Sequence, residues 1–157
     1  MKDTIYTQNR ELSWLRFNER VLEEAREKNV PAFEKLKFIS IFTSNLDEFF
    51  MIRVGSLYDQ TFLSKPQIDN KTGMDAAEQL SEIFRAVAPL YKKRDKIYRE
   101  VAGLLCEKGI AHPQMESLTA EERSFAEKYF IADVLPVLSP QILNALPPFP
   151  HLVHKAL

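Results

Sequence analysis

Apolar positions recur every three or four residues along most of this chain, the spacing of helices that bury one face. Trp14, Phe17, Val21 and Ala25 form the first such stripe, and Leu15 and Leu22 widen it. Ser13 precedes it as a candidate N-cap, so the spacing predicts a helix from about Ser13 to Lys28. "NVP" then ends it, because the residue before a proline avoids the α region. Pro31 suits the first turn of a second helix. Phe33, Leu36, Phe38, Ile39, Ile41 and Phe42 are apolar nearly all round, which predicts a central position for that helix.

The stretch "FTSNLDEFFMIRVGSL" (Phe42 to Leu57) predicts a third helix, with Phe49, Phe50, Val54 and Leu57 continuing a buried face. Asn45 lies three residues before Glu48, as in a capping box, and Ser44 with Asp47 offers a second register. "LSKPQIDNKTGMD" reads as loop. Asp75 is a candidate N-cap for a long fourth helix reaching Lys108, with Gly109 as its C-terminal stop. Pro89 inside it should produce a kink, since proline removes one backbone bond and clashes with the preceding turn. Thr119 and Glu122 open a fifth helix that ends near Pro136. Beyond it, "PVLSPQILNALPPFPHLVHKAL" is proline-rich and carries more apolar residues than the remaining chain can cover. It opens a second domain, or else folds back on the helices. The pattern thus predicts a mainly α protein: a bundle of about four to five helices with a long kinked fourth one, divided into a helical domain over 1–108 and the beginning of a second domain over 109–157.

Composition adds limits. At 157 residues, 45% apolar and 27% charged, the chain can build a globular core. A net charge of -1 supplies no global field toward nucleic acid or an anionic membrane. The single cysteine, Cys106, sits among apolar neighbours and reads as a buried, inert thiol. Neither a secretory h-region nor a run long enough to span a membrane is visible, so a cytoplasmic protein without a transmembrane segment is expected.

Candidate chemistry is sparse. No P-loop, GxGxxG, nucleophile elbow or HExxH occurs. His151 and His154 are three apart but flanked by prolines, which argues against a shared helix face and a metal site; His112 is a lone loop histidine. The basic run Lys92 to Arg99 reads as a solvated helix surface, with Asp95 and Arg99 as an i,i+4 pair. Binding of polyphosphate or RNA there is the alternative, and would weaken steeply with salt. Asp47 and Glu48 point about 100° apart on a helix, so capping suits them better than paired acid–base work. Arg53 either pairs with an acid, for instance from the first helix, or meets an anion. Asn45 is a cap through its oxygen, or a ligand contact whose amide both donates and accepts.

"NRELSWLRFNERVLEEA", "LKFISIFTSNLDEFFMIRVGSL" and, more loosely, "VLPVLSPQILNALPPFPHL" strongly resemble the N-terminal region of bacterial polyphosphate kinases of the phospholipase-D-like type. The resemblance implies reversible transfer of the ATP terminal phosphate to polyphosphate, through a phosphohistidine and with magnesium. It implies a helical N-terminal domain, then an α/β head domain concerned with subunit association, truncated here, and two catalytic domains further on. It also implies a homo-oligomer when intact, with ATP or ADP, polyphosphate and the rest of the same polypeptide as partners. In that family the asparagine of "SNLDEF" touches the nucleotide; here it is Asn45. No catalytic or metal-binding residue is implied within this chain, which on its own should be inactive. The contrasting expectation is a self-standing helical interaction or oligomerisation module with no nucleotide role.

Overall fold

The computed structural model describes residues 7–140, which divide into two compact units meeting between His112 and Pro113. Among the described residues all regular structure is helical. The expected α/β character of the later segment, and His151 and His154, lie outside the described residues.

In the first unit α1 spans Arg10–Glu23 and runs into a 3₁₀ turn at Glu24–Arg26. Its N-cap is Asn9, not Ser13: the Asn9 Oδ1 accepts from the backbone N–H of Glu11 (2.9 Å) and Leu12 (3.2 Å). The Asn9 Nδ2 also donates to Gln79 Oε1 at 2.8 Å, which ties this end to the fourth helix. Helix α2 covers Ala32–Phe49 with Pro31 as its N-cap. It does not stop before Asn45. A π turn at Phe50–Val54 carries it into α3, Gly55–Gln60, so the two helices expected here are one continuous rod.

Helix α4, Ala76–Cys106, has Asp75 as its expected N-cap, and Glu78 completes a capping box with it. At its far end the Ile110 N–H reaches the Leu105 carbonyl and the Gly109 N–H the Cys106 carbonyl, with Gly109 at φ +80°. That is the Schellman closure, whose left-handed position favours glycine. Pro89 lies inside α4, which continues on both sides of it. Cys106 is exposed, contrary to expectation, because its neighbour Leu105 occupies the inward position.

The core lies where α1, α2 and α4 pack on one another, with Leu15, Leu22, Phe42, Leu46, Ile83 and Val101 fully buried. On α1 the inward stripe is therefore Leu15, Asn18 and Leu22, continued by Ala25 in the 3₁₀ turn and rotated from the one centred on Trp14 and Phe17. Two polar fastenings supplement the apolar contact. Lys35 is buried, and its ammonium donates to the carbonyls of Ala25 (3.2 Å) and Glu27 at the end of the 3₁₀ turn. A buried cation is tolerable there because exposed helix-end carbonyls accept from it. Lys93 bridges α4 to Glu19 (2.7 Å) and Glu23 (2.6 Å) on α1. Burial alone would lower the Lys93 pKa, but those two carboxylates raise it above its ordinary value.

In the second unit the expected capping box of Thr119 and Glu122 starts α5, Ala120–Tyr129. A π turn at Phe130–Val134 and a 3₁₀ turn at Leu135–Val137 follow. No helix among the described residues is long and apolar enough to cross a membrane.

Candidate functional site

A cleft of about 400 Å³ opens between one face of α1 and the C-terminal part of α2. Arg10, Trp14 and Phe17 line it from α1 at helical spacing. Asn45, Glu48 and Phe49 face them from α2. The Trp14 and Phe49 rings stack on each other at 4.5 Å with planes 7° apart, joining the two helices by an aromatic contact at the cleft. Phe17 is 50% exposed, so this ring belongs to the cleft wall and not to the core.

The wall at the far end is the ion pair of Arg53 with Glu11, and it confirms an acid from the first helix as the Arg53 partner. Hydrogen bonding to Glu11, followed by its charge, raises the Arg53 pKa against the effect of burial. The π turn explains how a cation fits an apolar run. After Phe49, ordinary helical spacing would place Arg53 on the buried stripe. The wider turn lets Val54, five residues on, take that inward position, and Arg53 is left at the cleft.

Asn45 is not a cap. No glycine or proline interrupts the chain between Phe42 and Asn45, and the Ser44 hydroxyl of the second register bonds backward, as does that of Thr43. Thr43 Oγ1 donates to the Ile39 carbonyl (2.9 Å) and Ser44 Oγ to that of Ile41 (3.2 Å). Asp47 and Glu48 are likewise interior to α2, so neither end-capping register survives. With them goes any contribution from free N–H groups of a helix start. What remains is the amide itself, half-buried at the cleft, its Nδ2 donating to Asn18 Oδ1 at 3.1 Å. Among the described residues its Oδ1 accepts no protein hydrogen bond, so one acceptor and one N–H are left for a ligand.

Two arginines and two glutamates line this cleft, so their formal charges cancel. Aromatic lining, a fixed amide and balanced charge suit an uncharged planar ring better than a polyanion. Asn18 is the site residue that the sequence reading missed; only its place on the same inward stripe as Leu15 and Leu22 could have pointed to it.

The other candidates sit elsewhere. His112 has a partner after all, its Nδ1 lying 2.8 Å from the Tyr98 hydroxyl. In the basic run, Lys93 is engaged with α1. Arg94 pairs with the Asp95 carboxylate (2.7 Å), its guanidinium 4.9 Å from the Tyr91 ring centre. Arg99 bonds the Asp95 backbone carbonyl (3.1 Å) in place of the expected side-chain pair. No group of three His, Cys, Asp or Glu side chains among the described residues could hold a metal ion.

These features define a helical domain with a small cleft between two of its helices, lined in part by aromatic rings. A family model described as the polyphosphate kinase N-terminal domain matches residues 7–112, and the chain belongs to that family. It is similar along its whole length to proteins named polyphosphate kinase from Bacillus cereus (47% identity), Bacillus anthracis (45%) and Halalkalibacterium halodurans (42%). The chain spans 22% of the length of each of these relatives.

Proposed function

We propose that this chain serves as the nucleotide-facing domain of a polyphosphate kinase, which reversibly moves the terminal phosphate of ATP onto polyphosphate. Asn45 contacts the base from one side, while the catalytic portion of the enzyme grips the phosphates. The observation that carries this reading is the cleft around Asn45: an oriented amide and aromatic rings line it together, with no net charge to attract the triphosphate itself. Magnesium travels with the phosphates. The described residues offer no cluster of three His, Cys, Asp or Glu side chains to hold it. The histidine that carries the phosphoryl group belongs to the catalytic portion, as does most of the positioning and charge stabilisation that this chemistry needs. Association of the intact enzyme into oligomers is part of the same proposal and rests on the family alone.

The test is Asn45→Ala in the full-length enzyme. The KM for ATP is expected to rise about five- to tenfold, the worth of one hydrogen bond, with kcat within about twofold of wild type. Thermal melts recorded alongside separate this from unfolding, since the substitution also leaves Asn18 Oδ1 without its donor. An unchanged KM would falsify the contact and favour a purely structural interaction domain.

A further inference from the structure

Asn18 lies outside the cleft lining, yet it decides what Asn45 shows there. It is 0% exposed on the inward face of α1. Its Nδ2 donates to the Phe42 carbonyl at 3.0 Å, and that oxygen can only accept. The Asn18 amide therefore has one permitted orientation, with Oδ1 turned toward Asn45. Asn45 must in turn present Nδ2 to it, at 3.1 Å. A flipped Asn45 would set one amide oxygen against another, with no proton between them and little water to relieve the contact. The relay from backbone carbonyl to Asn18 to Asn45 thus points a defined acceptor and one remaining N–H at the cleft.

We infer that Asn18 is a positioning residue that sets the base selectivity of the site, making it read adenine over hypoxanthine or guanine. The inference rests on the proposed nucleotide contact of Asn45. Adenine offers its N6 amino donor beside the N1 acceptor. Hypoxanthine and guanine offer the reverse, an O6 acceptor beside an N1–H donor. A freely rotating amide can satisfy either pair by flipping. Where the bound phosphates hold the base in one pose, an amide kept in a single orientation matches one of the two patterns and opposes the other; in a site that takes ATP the matched pattern is that of adenine, so rejection of the others comes from a misplaced acceptor as much as from a lost bond.

The experiment compares kcat/KM for ATP and for ITP, the hypoxanthine analogue, in the full-length enzyme. The wild type, Asn45→Ala, Asn18→Leu and Asn18→Asp are measured side by side. Asn18→Leu removes the relay at similar volume. Its preference for ATP over ITP is expected to fall at least about fivefold, chiefly through a lower KM for ITP, with KM for ATP and kcat little changed. Asn18→Asp keeps an oxygen facing Asn45 whether or not it is protonated. It should hold the ATP/ITP ratio within about twofold of wild type while melting at lower temperature. A role confined to stability would lower the melting temperature in both variants and leave the ratio alone, which overturns the inference.

Equal loss of selectivity in the aspartate and leucine variants overturns it as well. If Asn45→Ala raises KM but Asn18→Leu leaves the ratio intact, the nucleotide contact stands and the positioning role falls. If Asn45→Ala changes nothing, both fall. Asn18→Ala replaces the leucine variant where that does not fold. Independently of any variant, a crystal structure of the wild-type enzyme with a non-hydrolysable ATP analogue would overturn the inference by showing Asn45 Nδ2 turned away from Asn18.

Discussion

Phe42→Ala is expected to lower the stability of the helical domain by about 3–5 kcal/mol, the usual cost of truncating a sealed aromatic ring. The side chain is 0% exposed, so the lost contacts are not replaced by water, and a cavity remains within the packing of α1, α2 and α4. Domains of this size are stable by only about 5–15 kcal/mol, so a large share of the total would go. Chemical denaturation of the wild type and variant checks the figure. The backbone carbonyl that anchors Asn18 is untouched by the substitution, so whatever fraction folds should keep an ATP KM close to wild type. A loss below about 1 kcal/mol would mean that the ring is not where the core places it.

The second large effect is expected at the cleft wall. Arg53→Met should cost about 1–3 kcal/mol, because it leaves the Glu11 carboxylate, only 6% exposed, without its cation. The Arg53 side chain is 46% exposed, so water can reach the vacated space, which favours the lower part of that range. Adding Glu11→Gln should restore most of the loss, since removing both charges avoids a stranded one. A double-mutant cycle followed by thermal melts measures this. Additive effects of the two substitutions would show that the pair contributes nothing by pairing.

Much of the helical plan was legible in the sequence where a cap and a breaker agreed. Asp75 before α4 closed the loop "LSKPQIDNKTGMD", and Thr119 with Glu122 opened α5 beyond the stop at Gly109, so at each of these starts a capping signal stood behind a breaker. The misreadings arose where only one signal was present. Asn45 and Glu48 have capping-box spacing, but three residues is also the distance between neighbours on a helix face, and no breaker stood in front of them. Ser13 and Asn9 are both good capping residues, and the choice between them was made by Gln79, seventy positions away. On α1 the apolar arc is wide enough to hold two stripes. Periodicity cannot say which packs inward and which lines a cleft, and the more conspicuous aromatic stripe proved to be the cleft.

The candidate site was legible only in part. Asn45 was singled out through family resemblance, and the acid partner of Arg53 through the cost of leaving a charge unpaired. The π turn left no trace that spacing could show, because it shifts the inward position by one residue without any special residue type. Asn18 was hidden for the opposite reason. A polar residue on an inward stripe looks like an exception to be tolerated until its two partners are seen.

The buried amide chain has a mechanical consequence. In a purely apolar seam α1 could slip along α2 by a turn and still find oily partners, with some loss of fit. Here a one-turn slide would drag Asn18 about 5 Å from both the Phe42 carbonyl and Asn45, leaving polar groups stranded in a dry seam. The two helices are therefore keyed along their long axes, much as a single polar residue keys a coiled coil. If the mouth between them widens to admit a guest, it should do so by splaying its ends apart and not by shear.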